Sequence, residues 1–108
     1  MNPPSNLFGD LPRDLSTEQF EPILAAPAVR IQRIVSHGHA SPLGFWYDQA
    51  EHEWVLLVSG AAGVRFEGEP DVVEMKAGDY LHIPARRRHR VEWTATDLDT
   101  VWVAIHYT

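Results

Sequence analysis

One histidine in the chain has the surroundings of either a core residue or a metal ligand. His89, Val91 and Trp93 alternate with Arg90 and Glu92, so His89 shares a face of a predicted strand with two large apolar residues. A histidine so placed either hydrogen-bonds a backbone group in the core or binds a metal in an apolar pocket. Around it, Arg86-Arg87-Arg88-His89-Arg90 gathers four of the chain's nine basic residues. Guanidinium forks there would suit a carboxylate or a phosphate. The alternative is a solvated loop whose arginines pair with Glu92, Asp97 or Asp99. Phe45-Trp46-Tyr47 can line a pocket and stack against a planar or sugar ligand, or else pack in a core or a dimer face. His37, His39, His82 and His106 have no spacing that demands a metal and read as surface or structural residues. No serine stands in a nucleophile context, and there is no glycine-rich phosphate loop.

Composition limits the chemistry further. The chain has 108 residues, room for one domain, and its 44% apolar content supports a core of modest size. It has no cysteine, so disulfides, thiolate nucleophiles and sulfur-ligated metals are excluded, and any metal must be held by nitrogen and oxygen. A net charge of −6 argues against a nucleic-acid partner and against an anionic membrane surface. No apolar run approaches the length of a membrane span, and Met1 to Asn6 lacks the pattern of a signal peptide. The expected compartment is the cytoplasm.

The elements that must position these residues are short strands. Residues 1–27 read as an arm. Its first six residues, with two prolines and two asparagines, suggest poor order, and Leu7 and Phe8 would anchor it. Ser16 to Gln19 fits a capping box flanked by Leu15 and Phe20, which predicts a short helix over about residues 16–26. Pro22 would break or restart it, and Pro27 would end it. Residues 28–108 carry strand signals: Val29 to Val35, Phe45 to Tyr47, Glu53 to Ser59, Val64 to Phe66, Val72-Val73, Leu81 to Ile83, His89 to Trp93 and Thr100 to Tyr107. Turn signals separate them at near-regular spacing, which indicates an all-β sandwich or barrel, a jelly roll being one solution. Trp54, Leu56 and Val58 lie opposite the Glu53 face of their strand. If Glu53 points inward, that second face is apolar too, and a second sheet or a homodimer interface is expected to cover it.

Two stretches resemble the cupin superfamily, whose fold is a small double-stranded β-helix barrel. The family's second motif runs glycine, five residues, proline, one residue, glycine, two residues, histidine. Gly78, Pro84 and His89 stand at those spacings, with Arg86 where the family prefers glycine. The first motif ends in glutamate, six residues, glycine, and Glu53 and Gly60 match. The His-x-His pair usual before that glutamate is missing. A four-residue gap puts Trp46 and Asp48 in its place, and a three-residue gap puts Tyr47 and Gln49 there. The resemblance implies that Glu53 and His89 point into a barrel as ligands of a single divalent metal (Fe, Mn, Ni or Zn). Asp48 would fill a vacant ligand position, or Gln49 would offer a carbonyl oxygen. It places the arginine loop, with Arg86, at the barrel mouth. Trp46, Tyr47, Gln49 and Arg86 are then the substrate-binding candidates. If the barrel has lost its metal, Glu53 and His89 share a hydrogen bond instead.

The expected function is a barrel-interior site that binds a divalent metal and a small-molecule substrate, with the reaction left open. The alternative is a metal-free, non-catalytic module that binds a sugar or an anionic metabolite. The expected partner is a second copy of the chain.

Overall fold

A computed structural model of the chain describes residues 3–108. The expectation of an irregular start at Met1 and Asn2 lies outside those residues. The eight strands are β1 (Gln19–Ala26), β2 (Val29–Ser36), β3 (His52–Ser59), β4 (Ala61–Phe66), β5 (Val73–Lys76), β6 (Tyr80–Ile83), β7 (His89–Thr94) and β8 (Thr100–Tyr107). All pairings are antiparallel. One sheet runs β1-β2-β8-β3-β6 and the other β5-β4-β7, and the two face each other as a jelly roll. Among the described residues none is helical, so no helix is long and apolar enough to cross a membrane.

The period-two patterns decide what faces inward. On β3, Glu53, Val55 and Leu57 are buried while Trp54, Leu56 and Val58 are half-exposed. On β8, Trp102, Ala104 and His106 are buried while Val103, Ile105 and Tyr107 are half-exposed. From the facing sheet Ala62, Val64 and Met75 complete the core. At 25–30 cal/mol per Å² the burial of Val55, Leu57, Val64 and Met75 is worth about 2 kcal/mol each, and it fixes the register: a one-residue slip would turn Glu53 outward.

The helix expected over residues 16–26 is not present: Gln19–Ala26 is the edge strand β1. Proline inside a helix costs about 3 kcal/mol, whereas an edge strand admits it at a bulge. Pro22 sits at such a bulge, where the register against β2 shifts between Pro22 and Leu24. The presumed capping residues make turns instead: the Ser16 amide donates to Asp14 Oδ1 at 3.0 Å, and Gln19 Nε2 donates to the Thr17 carbonyl at 3.1 Å. The arm is anchored by polar contacts. Arg33 donates to the carbonyls of Leu7 and Gly9 at 3.0 and 2.6 Å, while Phe8 is exposed.

A second bulge corrects the face assigned to Trp93. Val64 pairs with Val91 but Gly63 with Trp93, so Glu92 has no partner on β4. The extra residue flips the strand. Trp93 is therefore exposed and Thr94 buried. The indole lies across Gly63, where a Cβ would come within 2.2 Å of Trp93 Nε1.

Candidate functional site

Three inward side chains meet at one end of the core. Glu53 and His106 are directly opposite in the β3–β8 pair, above Val55/Ala104 on the same face. His89 comes from β7 in the other sheet, and its Nε2 lies 3.6 Å from Glu53 Oε1. All three are buried. His89 Nδ1 lies 2.9 Å from the Arg87 carbonyl. A carbonyl only accepts, so Nδ1 carries the hydrogen and Nε2 is turned to Glu53.

Residues 45–49 lie against β7 and close the site. Tyr47 forms an antiparallel bridge with His89, with N···O distances of 2.7 and 3.2 Å. The extended backbone sends Tyr47 and Gln49 inward and Trp46 and Asp48 outward. Tyr47 stacks on His89 with ring centroids 5.3 Å apart, and Gln49 Nε2 donates to Glu53 Oε1 at 3.0 Å. Tyr47 and Gln49 thus occupy the positions of the absent histidine pair. Trp46 instead lines an outer groove with Arg65 and Arg90. Asp48, expected as a metal ligand, is exposed and 3.4 Å from Arg86. Arg86, expected to touch substrate, does not line the cavity. It sits at φ +66°, which explains the family's preference for glycine there.

The rest of the arginine loop also turns outward, but toward partners other than Asp97 and Asp99. Arg88 pairs with Glu67 at 2.8 Å and Arg87 with Glu69 at 3.6 Å. Both acids flank the turn after β4, which lies beside this loop. Arg90 does meet Glu92, at 3.3 Å.

The side chains line a cavity of about 220 Å³ that is open to solvent on one side. Glu18, Phe20, Arg30, Gln32 and Trp102 also line it. Burial pushes the Glu53 carboxyl up, but the nearby His89 and His106 rings and the Gln49 amide outweigh it, and the net shift is downward. Glu53 is therefore a carboxylate at neutral pH. Burial pushes His106 down, and the charges of Glu53 and Glu51 only partly restore it. Its Nδ1 is buried without a hydrogen-bond partner. Burial and the negative charges of Glu18 and Glu53 raise the Tyr47 hydroxyl, so it remains a proton donor.

His106 was assigned to the surface or to a structural role in the sequence, and Glu18 and Phe20 to a helix. The signal for His106 was its parity with Trp102 and Ala104. The more apolar Val103 and Ile105 share the other face, so alternation alone pointed the wrong way.

The metal that the resemblance implies can be tested on these donors. Only Glu53 and His89 of the expected set converge. Asp48 faces away, and Gln49 turns its amide nitrogen to Glu53. Among the described residues no group of three or more His, Asp or Glu side chains is placed to hold a metal ion. A tightly held metal needs three or four such donors, so the side chains as placed do not fit one.

The cupin domain profile matches residues 31–106 of the chain. A protein from Ralstonia eutropha proposed to be a mannose-6-phosphate isomerase is 47% identical, with 98% of each chain covered and a TM-score of 0.93. A cupin superfamily protein from Desulfitobacterium hafniense shares the fold at 13% identity, over 90% of this chain and 83% of its own, with a TM-score of 0.73. An RmlC-like cupin with a double-stranded β-helix fold from Methanocaldococcus jannaschii does so at 15% identity, over 91% and 86%, with a TM-score of 0.70. No curated protein matches the sequence. The matched motif spacings, the inward Glu53 and His89 and the profile match agree: the chain belongs to the cupin domain family.

Proposed function

We propose that the cavity binds a small sugar and moves a proton between carbon atoms beside its carbonyl group, the chemistry of an aldose–ketose isomerase. The observation that carries this is the convergence of an ionised carboxylate, two imidazoles and a phenol donor in one small cavity. The similarity to a protein proposed to act on a sugar supports it. A cavity of about 220 Å³ holds about seven waters' worth of liquid, which suits a monosaccharide.

Such a reaction needs a base to take the proton from the carbon next to the carbonyl, a donor to the carbonyl oxygen, and return of the proton to the neighbouring carbon. Glu53 is the base, held ionised against burial by the two imidazoles and the Gln49 amide. Tyr47 donates to the oxygen that gains charge. His106, neutral through burial, relays a proton between the two oxygens. No step requires a metal, in keeping with the donor set.

The test is hydrogen–deuterium exchange beside the carbonyl, followed by NMR in D2O with metal-depleted protein. D-mannose and its 6-phosphate are the probes. Exchange on either, lost in Glu53→Gln, is the expected result. Binding without exchange makes the chain a non-catalytic binding module. Activity that needs a stoichiometric divalent metal, lost from a His89→Ala variant together with the metal, overturns the metal-free mechanism. Neither binding nor exchange overturns the sugar reading.

A further inference from the structure

The charges around the cavity carry a choice of substrate that the similarity to a phosphosugar protein does not. This choice rests on the sugar reading above. Two carboxylates line the space, Glu18 and Glu53. Glu18 accepts a hydrogen bond from the fully buried Ser36 hydroxyl, which in turn accepts from Trp102 Nε1 at 3.2 Å, so it is held by the core and not free to swing away. Glu53 is held by Gln49 and faces His89.

Arg30 is the one arginine or lysine lining the cavity among the described residues. Its Nε and Nη2 both donate to Glu51 Oε1, at 3.2 and 2.7 Å. Arg86, Arg87 and Arg88 are engaged with Asp48, Glu69 and Glu67 on the outside. Arg33, on the outer face of β2, is bound to Glu21 and the N-terminal arm. The remaining polar groups of the cavity, on Gln32, Gln49, Tyr47 and the two imidazoles, suit hydroxyls and a carbonyl.

We propose that this cavity takes neutral, unphosphorylated sugars and excludes phosphorylated ones. A phosphoryl dianion would enter beside two carboxylates and meet one guanidinium already shared with Glu51. It would leave water without gaining the forked contacts that phosphate sites supply. A hydroxyl-rich neutral sugar meets donors and acceptors with no charge to compensate, and its apolar face can lie on Phe20 and Trp102.

Calorimetric titration of the full chain with D-mannose, D-mannose 6-phosphate and inorganic phosphate tests this. D-mannose is expected to bind at least about tenfold more tightly than its 6-phosphate, since like-charge contact disfavours the latter. Inorganic phosphate is expected not to bind. In Glu18→Gln, which keeps an acceptor for Ser36, the gap is expected to narrow by several-fold, with near-ultraviolet circular dichroism showing that the fold is retained. Tighter binding of the 6-phosphate, or of inorganic phosphate, overturns the proposal and leaves the sugar reading standing. An unchanged gap in folded Glu18→Gln overturns the charge argument. Binding of none of the three removes the sugar reading itself, and the proposal with it.

Discussion

At the scale of single residues, the site is a buried carboxylate between two imidazoles, and its charge states make stability depend on pH. His106 has its pKa lowered from the ordinary 6.5. On acidification the unfolded chain takes up that proton first, so stability is complete above about pH 6.5 and declines below it. Glu53 is lowered from 4.5, so its contribution is complete above about pH 4.5 and is lost as pH falls toward the folded-state value. Both act in the same direction. Urea unfolding is therefore expected to show a midpoint that falls in two stages on acidification, and His106→Gln should flatten the upper one. A midpoint that rises between pH 6.5 and 5 would contradict this assignment. Of this site, Glu53 and His89 were legible in the sequence because motif spacing fixed them. Tyr47 and Gln49 were legible only as one of two registers, since strand parity could not be set without knowing where the bridge to His89 falls. His106 was not legible, because a face rich in Val and Ile outside the barrel is indistinguishable in sequence from one inside it.

At the scale of elements, most strands after residue 28 were readable from their patterns, but Phe45 to Tyr47 forms only an isolated bridge at Tyr47 and β4 starts earlier than Val64, at Ala61, while β1 was not readable at all. Its Ser16–Gln19 start satisfies a local helix signal, and only the open edge of β2 reveals the competing strand. The bulge that turns Trp93 outward is equally invisible, because it depends on the β4 partner. The turns are where the motif glycines act. Gly60 has φ +94°, and a Cβ there would lie 2.4 Å from Thr100 Oγ1 and 2.6 Å from Thr100 Cα. Thr100 is fully buried and donates to the Ala61 carbonyl at 3.2 Å, so it cannot retreat. Gly68 has a similar φ of +86° but no neighbour within 4 Å. The pair separates backbone strain from steric collision. Gly68→Ala should cost about 1 kcal/mol from conformation alone, and Gly60→Ala on the order of 3 kcal/mol or more because the collision adds to it. Equal losses in denaturant titrations would show that Thr100 yields.

At the scale of the whole molecule, the larger sheet has an outer face that the described residues leave partly uncovered. Trp54 lies beside Ile105, which pairs with Ile31, which pairs with Leu24, so an apolar band crosses four strands. Tyr80 extends it onto β6, its ring 5.4 Å from that of Trp54 and 64% exposed. The N-terminal arm binds at Arg33, while Leu24 is exposed and Ile31, Ile105 and Trp54 are only half-buried. We propose that a second copy of the chain packs on it, because an isologous pairing matches apolar band to apolar band and a twofold axis closes the assembly. Four strands of eight residues and the four-residue β6, about 4.8 Å apart, present at most on the order of 600 Å². Two such faces bury ~1,200 Å², the lower end of the range for specific complexes. The dimer should therefore dissociate on dilution. Light scattering is expected to show a dimer at high concentration that shifts to monomer at low concentration. Trp54→Glu should hold the chain monomeric while keeping its β-rich circular dichroism, since Trp54 faces away from the core. A wild-type monomer at every concentration, or a Trp54→Glu variant that still dimerises, would place the partner elsewhere. Monomeric Trp54→Glu that retains sugar binding would also show that the cavity, which opens on the opposite face of this sheet, is complete within one chain.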